Sequence, residues 1–310
     1  MAVSTLGFGA AEIGFEGADP KTVDALLGAA FAAGLNVIDT AECYLDSEAK
    51  LGRALGTRRQ QCFVFTKCGH APRLRPAGRL VRAARKLWRP VARVIGRDLP
   101  DWNPRMLEQS IERSLRNLRT DYLDLIQLHS CSEDVLRSGQ VVEVLQRARA
   151  AGKARYIGYS GDGEAALFAV QSGQFDCLET SLNIADQEAI HLTLPLARER
   201  GMAVIAKRPV ANAVWRNTRR PENSYHHVYW DRLQALGYDF LRDPRQAIEI
   251  ALRFTLGMEG VHTAIVGTTK PEHLQKNVEF AAAGRLEPGL IEAIQTRWRE
   301  VAGPDWIGQQ

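Results

Sequence analysis

Four titratable side chains stand where short apolar runs hand over to loops. Asp39 follows Asn36-Val37-Ile38, and Tyr44 lies five residues on. Lys67 ends Cys62-Phe63-Val64-Phe65-Thr66, and His129 ends Asp124-Leu125-Ile126-Gln127-Leu128. An ionisable group at the end of a buried strand is costly unless something uses it. Three successive strands that end this way point to one shared site at the carboxyl ends of a parallel sheet, and hence to an enzyme. The residue types define proton-transfer chemistry. A phenol ordinarily titrates at about pH 10, and a nearby ammonium favours the phenolate and lowers that value. Lys67 can supply the charge, Asp39 can hold Lys67 in place, and His129 can donate a hydrogen bond to a substrate oxygen.

Such a site needs a frame. Short apolar runs bounded by glycine or polar residues, as fully buried strands should be, occur at 5–10, 36–40, 62–67, 124–129, 154–160, 177–182, 203–208 and 263–268. Helical periodicity fills the gaps at 21–33, 47–55, 105–118, 135–150, 164–171, 187–200, 244–256 and 271–282, with a further amphipathic stretch at 289–301. Gly34, Gly152, Gly173 and Gly201 suit left-handed C-caps, and Pro104, Pro244 and Pro271 suit first helical turns. Eight strand–helix pairs predict an α/β fold, a (β/α)8 TIM barrel whose parallel eight-stranded barrel carries long loops on its catalytic face. An open doubly wound sheet would want GxGxxG after its first strand. Neither Gly7-Phe8-Gly9-Ala10-Ala11 nor Gly158-Tyr159-Ser160-Gly161 has that spacing.

Composition narrows the class. The 310 residues are 45% hydrophobic and 25% charged, ordinary for a globular enzyme with a large core. No apolar run is long enough to span a bilayer, and the N-terminus lacks the basic-then-apolar pattern of a secretory signal. Cys43, Cys62, Cys68, Cys131 and Cys177 are odd in number and contain no CxxC pair, which predicts reduced thiols in a cytoplasmic protein without a metal site. The net charge of +4 conceals a basic insert. Residues 73–97 hold nine Arg and Lys and no acid, and the other 31 basic residues face 36 acidic ones. Nothing suggests nucleic acid as a partner.

Asp39-Thr40-Ala41-Glu42-Cys43-Tyr44, with Ser47-Glu48 and Leu51-Gly52 after it, resembles the signature of the aldo-keto reductases. Lys67 and His129, each at its strand end, are similar to that family's catalytic lysine and histidine. Gly267-Thr268-Thr269-Lys270-Pro271-Glu272-His273-Leu274, with Asn277, looks like its phosphate-binding segment. The resemblance runs from about residue 5 to 282 and implies one barrel domain over 1–310 that uses NADP(H) to reduce a small aldehyde or ketone. Tyr44 would be the general acid, with Asp39, Lys67 and His129 as its partners. It also implies nicotinamide contacts after the fifth, sixth and seventh strands, where this chain departs from the family. Ser160 is present, but Gly161 replaces the usual Asn, Glu179 replaces a Gln, and Lys207 or Arg208 replaces an aromatic ring. Glu179 can accept from an amide nitrogen but cannot donate to its oxygen. These departures support the alternative of a nicotinamide-binding regulatory or scaffold protein.

The last strand–helix unit favours NADP. Thr268 and Thr269 offer hydroxyls, Pro271 opens a helix whose N-terminus attracts phosphate, Lys270 adds charge, and His273 stands where the family often has Arg.

Two long connections should emerge on the catalytic face. Residues 68–103 contain a basic amphipathic stretch at 79–95. It suits a lid, with Trp88 and Trp102 as substrate walls, or contact through 73–97 with an acidic partner or an anionic membrane surface. Residues 209–242 carry Trp215, Tyr225, His226, His227, Tyr229 and Trp230, which suit recognition of an apolar or ring-bearing carbonyl substrate. His226-His227 lacks the further ligands a metal would need.

Overall fold

The computed structural model describes residues 1–70 and 100–309. The basic stretch at 73–97, with its lid and surface-contact readings and Trp88, lies outside them. Eight parallel strands close into a barrel in chain order: β1 (Leu6–Gly9), β2 (Val37–Asp39), β3 (Phe63–Cys68), β4 (Leu123–His129), β5 (Ala154–Ser160), β6 (Cys177–Ser181), β7 (Ala203–Lys207) and β8 (Thr263–Gly267). Closure is made by β1 against β8, with Leu6 beside Ala264 and Gly9 beside Gly267.

Side chains alternate along a strand, so every second residue faces the barrel axis. Val37, Phe65, Leu125, Cys177 and Ile205 form an apolar layer inside the barrel, and Val3 packs against it. Two residues further along the same strands stand Asp39, Lys67, Gln127, Glu179 and Lys207, all buried. The inward face thus changes from hydrocarbon to charge in one step, at the end where the strands enter their loops. Gly158 on β5 makes room for this polar layer, because a Cβ there would press on the Gln127 side chain at 3.2 Å.

The outer faces of the strands pack on the surrounding helices in one large core. Two helices differ from the periodic reading. Residues 135–150 divide into Glu133–Arg137 and Gln140–Ala150, because Gly139 takes a left-handed conformation (φ 73°) between them. Residues 187–200 divide at Thr193 into Glu188–Leu192 and Leu194–Glu199, with Pro195 in the first turn of the second. The 209–242 connection holds two short 3-10 segments, Ala211–Arg216 and Ser224–His226, then a helix His227–Leu236 and a third 3-10 segment, Asp239–Arg242.

Candidate active site

The sequence-predicted foursome converges at the carboxyl mouth of the barrel. Lys67 Nζ lies 2.5 and 2.7 Å from the two Asp39 oxygens and donates to the Thr40 carbonyl at 3.1 Å. It also lies 5.6 Å from the centre of the Tyr44 ring. Tyr44 and His129 meet edge to face, with centroids 6.0 Å apart at 82°. The Cys43 thiol sits 3.5 Å from His129 Nδ1.

Burial sets the electrostatics of this cluster. The Tyr44 phenol is held above its ordinary value. Burial is the largest cause, the Lys67 ammonium opposes it, and the Asp39 charge adds to it. Lys67 therefore does not bring the phenol below its usual value, as its placement beside Tyr44 suggested, because desolvation outweighs the ammonium. Burial likewise disfavours the His129 cation, as do the neighbouring charges of Lys67 and others, so His129 is a neutral imidazole. Burial works against the Lys67 cation too, but Asp39 and Glu179 more than offset it and hold Lys67 firmly protonated.

Glu179 belongs to this cluster. Its Oε1 lies 3.3 Å from Lys67 Nζ and accepts from the Ser160 hydroxyl at 3.2 Å, while Oε2 accepts from Gln127 Nε2 at 2.7 Å. One buried ammonium thus serves two buried carboxylates. Asp39 is pushed up to about 8, by burial first and by the Glu179 charge second, against the pull of Lys67.

One long cleft, about 2080 Å³ in volume, joins this cluster to the phosphate-like segment. It is lined by Tyr44, His129 and Glu179 at one end and by Gly267, Thr268, Thr269, Lys270 and His273 at the other. Asn277 lines a small adjoining cavity with Gly267, Thr268, His273 and Lys276. Ser160 sits behind the cleft wall, bonded to the cleft-lining Glu179 and Ser130. The Lys207 ammonium pairs with Asp162 at 3.0 Å. Arg208 donates to the Tyr225 hydroxyl and to Ser181 Oγ, both at 2.9 Å, and to the Gln309 carbonyl. Both cations line the cleft while bonded to protein partners.

The aromatic 209–242 connection divides its labour. Tyr229 is buried in the core, and Trp215 and Trp230 pack against it. Tyr225 and His226 face the cleft instead. Among the described residues no group of His, Cys, Asp and Glu is arranged to hold a metal, and all five cysteines are buried thiols.

Several cleft residues escape sequence reasoning. Glu12 on the helix Ala11–Phe15 has a buried carboxylate oxygen with no hydrogen-bond partner among the described residues, and a side chain at Gly267 would run into it. Arg216 joins Lys270 and Lys276 in holding His273 below its usual value, although burial is the larger cause. The segment 305–309 returns across the barrel mouth. Arg232 donates to the Ile307 carbonyl at 2.7 Å, and Gly308 N donates to Glu188 at 2.8 Å. Only Gln127 carries a usable signal, a polar residue inside an apolar strand run.

A closed barrel with an Asp–Lys–Tyr–His cluster at its mouth suits an oxidoreductase, and the comparisons agree. The model of the Aldo/keto reductase family matches residues 5–298. The chain is 27% identical to a D-threo-aldose 1-dehydrogenase of Pseudomonas sp, over 97% of this chain and 94% of that one. It is 25% identical to an NADH-specific methylglyoxal reductase of Escherichia coli, over 88% and 85%. The holo form of an aldo-keto reductase from Bacillus halodurans shares the fold, with a TM-score of 0.75 and 24% identity over 98% and 95% of the two chains. The chain belongs to the Aldo/keto reductase family. No described helix is long and apolar enough to cross a membrane.

Proposed function

We propose that the protein reduces a small aldehyde or ketone to an alcohol with NADPH, with Tyr44 as the general acid. The carrying observation is the single cleft that runs from Lys270 and His273 to Tyr44 and His129. The donor set suits a dinucleotide. Arg216, Lys270 and Lys276 gather around His273 at one end, beside the N-terminus of the twelve-residue helix Pro271–Ala282, and together they would hold phosphate. Thr268 and Gly267 line the same end, and Asn277 adjoins it. Glu179 at the other end can accept from a carboxamide nitrogen.

A bound reduced nicotinamide supplies the hydride to the carbonyl carbon. The chain's own residues do the rest. Tyr44 gives its proton to the carbonyl oxygen, and neutral His129 donates a hydrogen bond that orients that oxygen. Lys67 offers positive charge to the phenolate left behind, and Asp39 fixes Lys67. Positioned acid catalysis of this kind is worth about 100- to 10,000-fold, and the same cluster stabilises charge that develops on the oxygen.

Stopped-flow mixing of the NADPH-loaded protein with 4-nitrobenzaldehyde tests the reading. Loss of NADPH absorbance on aldehyde addition is expected, and tight NADPH binding without turnover would instead identify a regulatory barrel. The choice of NADP over NAD rests on Lys270. The E. coli relative is NADH-specific, and Glu16 accepts from Thr269 at 2.7 Å beside the phosphate segment. Equal Michaelis constants for NADH and NADPH, unchanged in Lys270→Ala, would overturn the NADP assignment.

A further inference from the structure

Among the described residues, Lys67 is the only cation paired with both Asp39 and Glu179, at 2.5 and 3.3 Å. Glu179 is held from three sides, by Lys67, Gln127 Nε2 and Ser160 Oγ, so its carboxylate cannot swing away. It is almost completely buried yet lines the cleft floor with Asp39, Tyr44 and His129. When all three groups are charged, Lys67, Asp39 and Glu179 carry one net negative charge. Among the described residues, the groups beside them do little to offset it. Tyr44 and His129 are neutral, Cys177 one turn of the pleat below Glu179 is held as a thiol by burial, and Lys207 is matched by Asp162. A glutamine at position 179 would keep the shape and remove that charge.

An oxidised nicotinamide is a cation, whereas the reduced ring is neutral. A buried carboxylate beside the ring therefore interacts differently with the two forms. We infer that Glu179 is a specificity-determining residue for the redox state of the dinucleotide, favouring the oxidised ring over the reduced one and so favouring, on the enzyme, the hydride transfer that forms it. This inference rests on the dinucleotide reading above and extends it to the redox state of the bound ring. The preference has a built-in pH dependence. Below the value of about 8 at Asp39, the pair of carboxylates keeps one proton and the trio is neutral. Above it the negative charge is fully expressed.

The test is the ratio of dissociation constants for NADP+ and NADPH, measured by quenching of tryptophan fluorescence in the wild type and in Glu179→Gln. At about pH 9.5 the wild type should favour NADP+ over NADPH about tenfold more than Glu179→Gln does, and near pH 6 the two proteins should agree. The 2′-phosphate is common to both ligands and cancels from the ratio. If Glu179→Gln does not fold, the wild-type ratio alone carries the test, and it must move toward NADP+ by about the same factor between those pH values. A ratio that is independent of pH in the wild type, or identical in the two proteins at high pH, overturns the inference. A wild type that binds neither redox form of NADP or NAD overturns the dinucleotide reading itself.

Discussion

Lys67 and Asp39 meet as a two-pronged ion pair, with the ammonium 2.5 and 2.7 Å from the two carboxylate oxygens, both side chains wholly inside the barrel. The pair ties β3 to β2, and the loop after β2 carries Tyr44. It thereby fixes the distance between the acid and its cation. Behind it, Glu179 on β6 supplies a second carboxylate to the same ammonium.

Removing the cation leaves two buried acids without a counter-ion. Losing one member of a buried ion pair typically costs about 3–5 kcal/mol, so Lys67→Met should lower the unfolding free energy by about that much in urea titrations. Adding Glu179→Gln to Lys67→Met removes one stranded charge and should restore part of the loss. Equal stability of the single and double variants would show that Glu179 is not coupled to Lys67.

Tyr44→Phe removes the proton donor and leaves the ring that packs against Phe15 at 5.6 Å. kcat for carbonyl reduction should fall about 100- to 10,000-fold, while NADPH binding and the thermal transition stay as in the wild type. A drop of less than about tenfold would place the acid elsewhere.

Gly14 controls where Tyr44 sits. The backbone of the helix Ala11–Phe15 passes so close to the loop after β2 that a Cβ at Gly14 would overlap the Tyr44 carbonyl oxygen and press on Ser47 Cβ at 3.3 Å. That oxygen accepts from Ser47 N at 3.0 Å. Gly14→Ala must therefore displace the loop. A misplacement of about 1 Å can cost on the order of 100-fold in rate, so steady-state kinetics should show a large fall in kcat, with dinucleotide affinity little changed. Wild-type turnover in Gly14→Ala would show that the loop is not needed in this position.

The barrel is legible in the sequence because buried parallel strands are apolar runs and their inward face has a period of two. That period also carries Asp39, Lys67 and His129 to the same mouth, so their convergence follows from strand ends alone. Glu179 is different. Its position on β6 is readable, but its bond to Lys67 depends on how far β3 and β6 stand apart across a closed barrel, which no local pattern encodes. The same holds for Lys207 and Arg208. Each reads as a strand-end cation, and its bonds to Asp162, Ser181 and the returning 305–309 segment come only with tertiary contact. The breaks at Gly139 and Thr193 are helix-continuity choices that periodicity blurs, since the apolar face continues across both.

The pH dependence of stability should be that of an enzyme whose buried acids hold their protons above the usual carboxylate range. Asp39 is pushed up to about 8. Asp186 is pushed up to about 7, by burial first and by the charge of Asp162 next, with Arg232 opposing. An unfolded aspartate titrates at about 3.9. Both folded values lie above it, so the native state binds more protons than the unfolded one between these limits. Their stabilising contribution is fully present below about pH 4 and is lost as pH rises through 7 to 8. Asp186 can be isolated from Asp39. Its Oδ2 accepts from the Tyr229 hydroxyl at 3.0 Å and from Gln309 N at 3.4 Å, roles that the oxygen of an asparagine can fill. The melting temperature of the wild type should fall between about pH 5 and 8.5, and Asp186→Asn should show a shallower fall over the same range. Parallel curves for the two proteins would mean that Asp186 is ionised in the folded state at neutral pH.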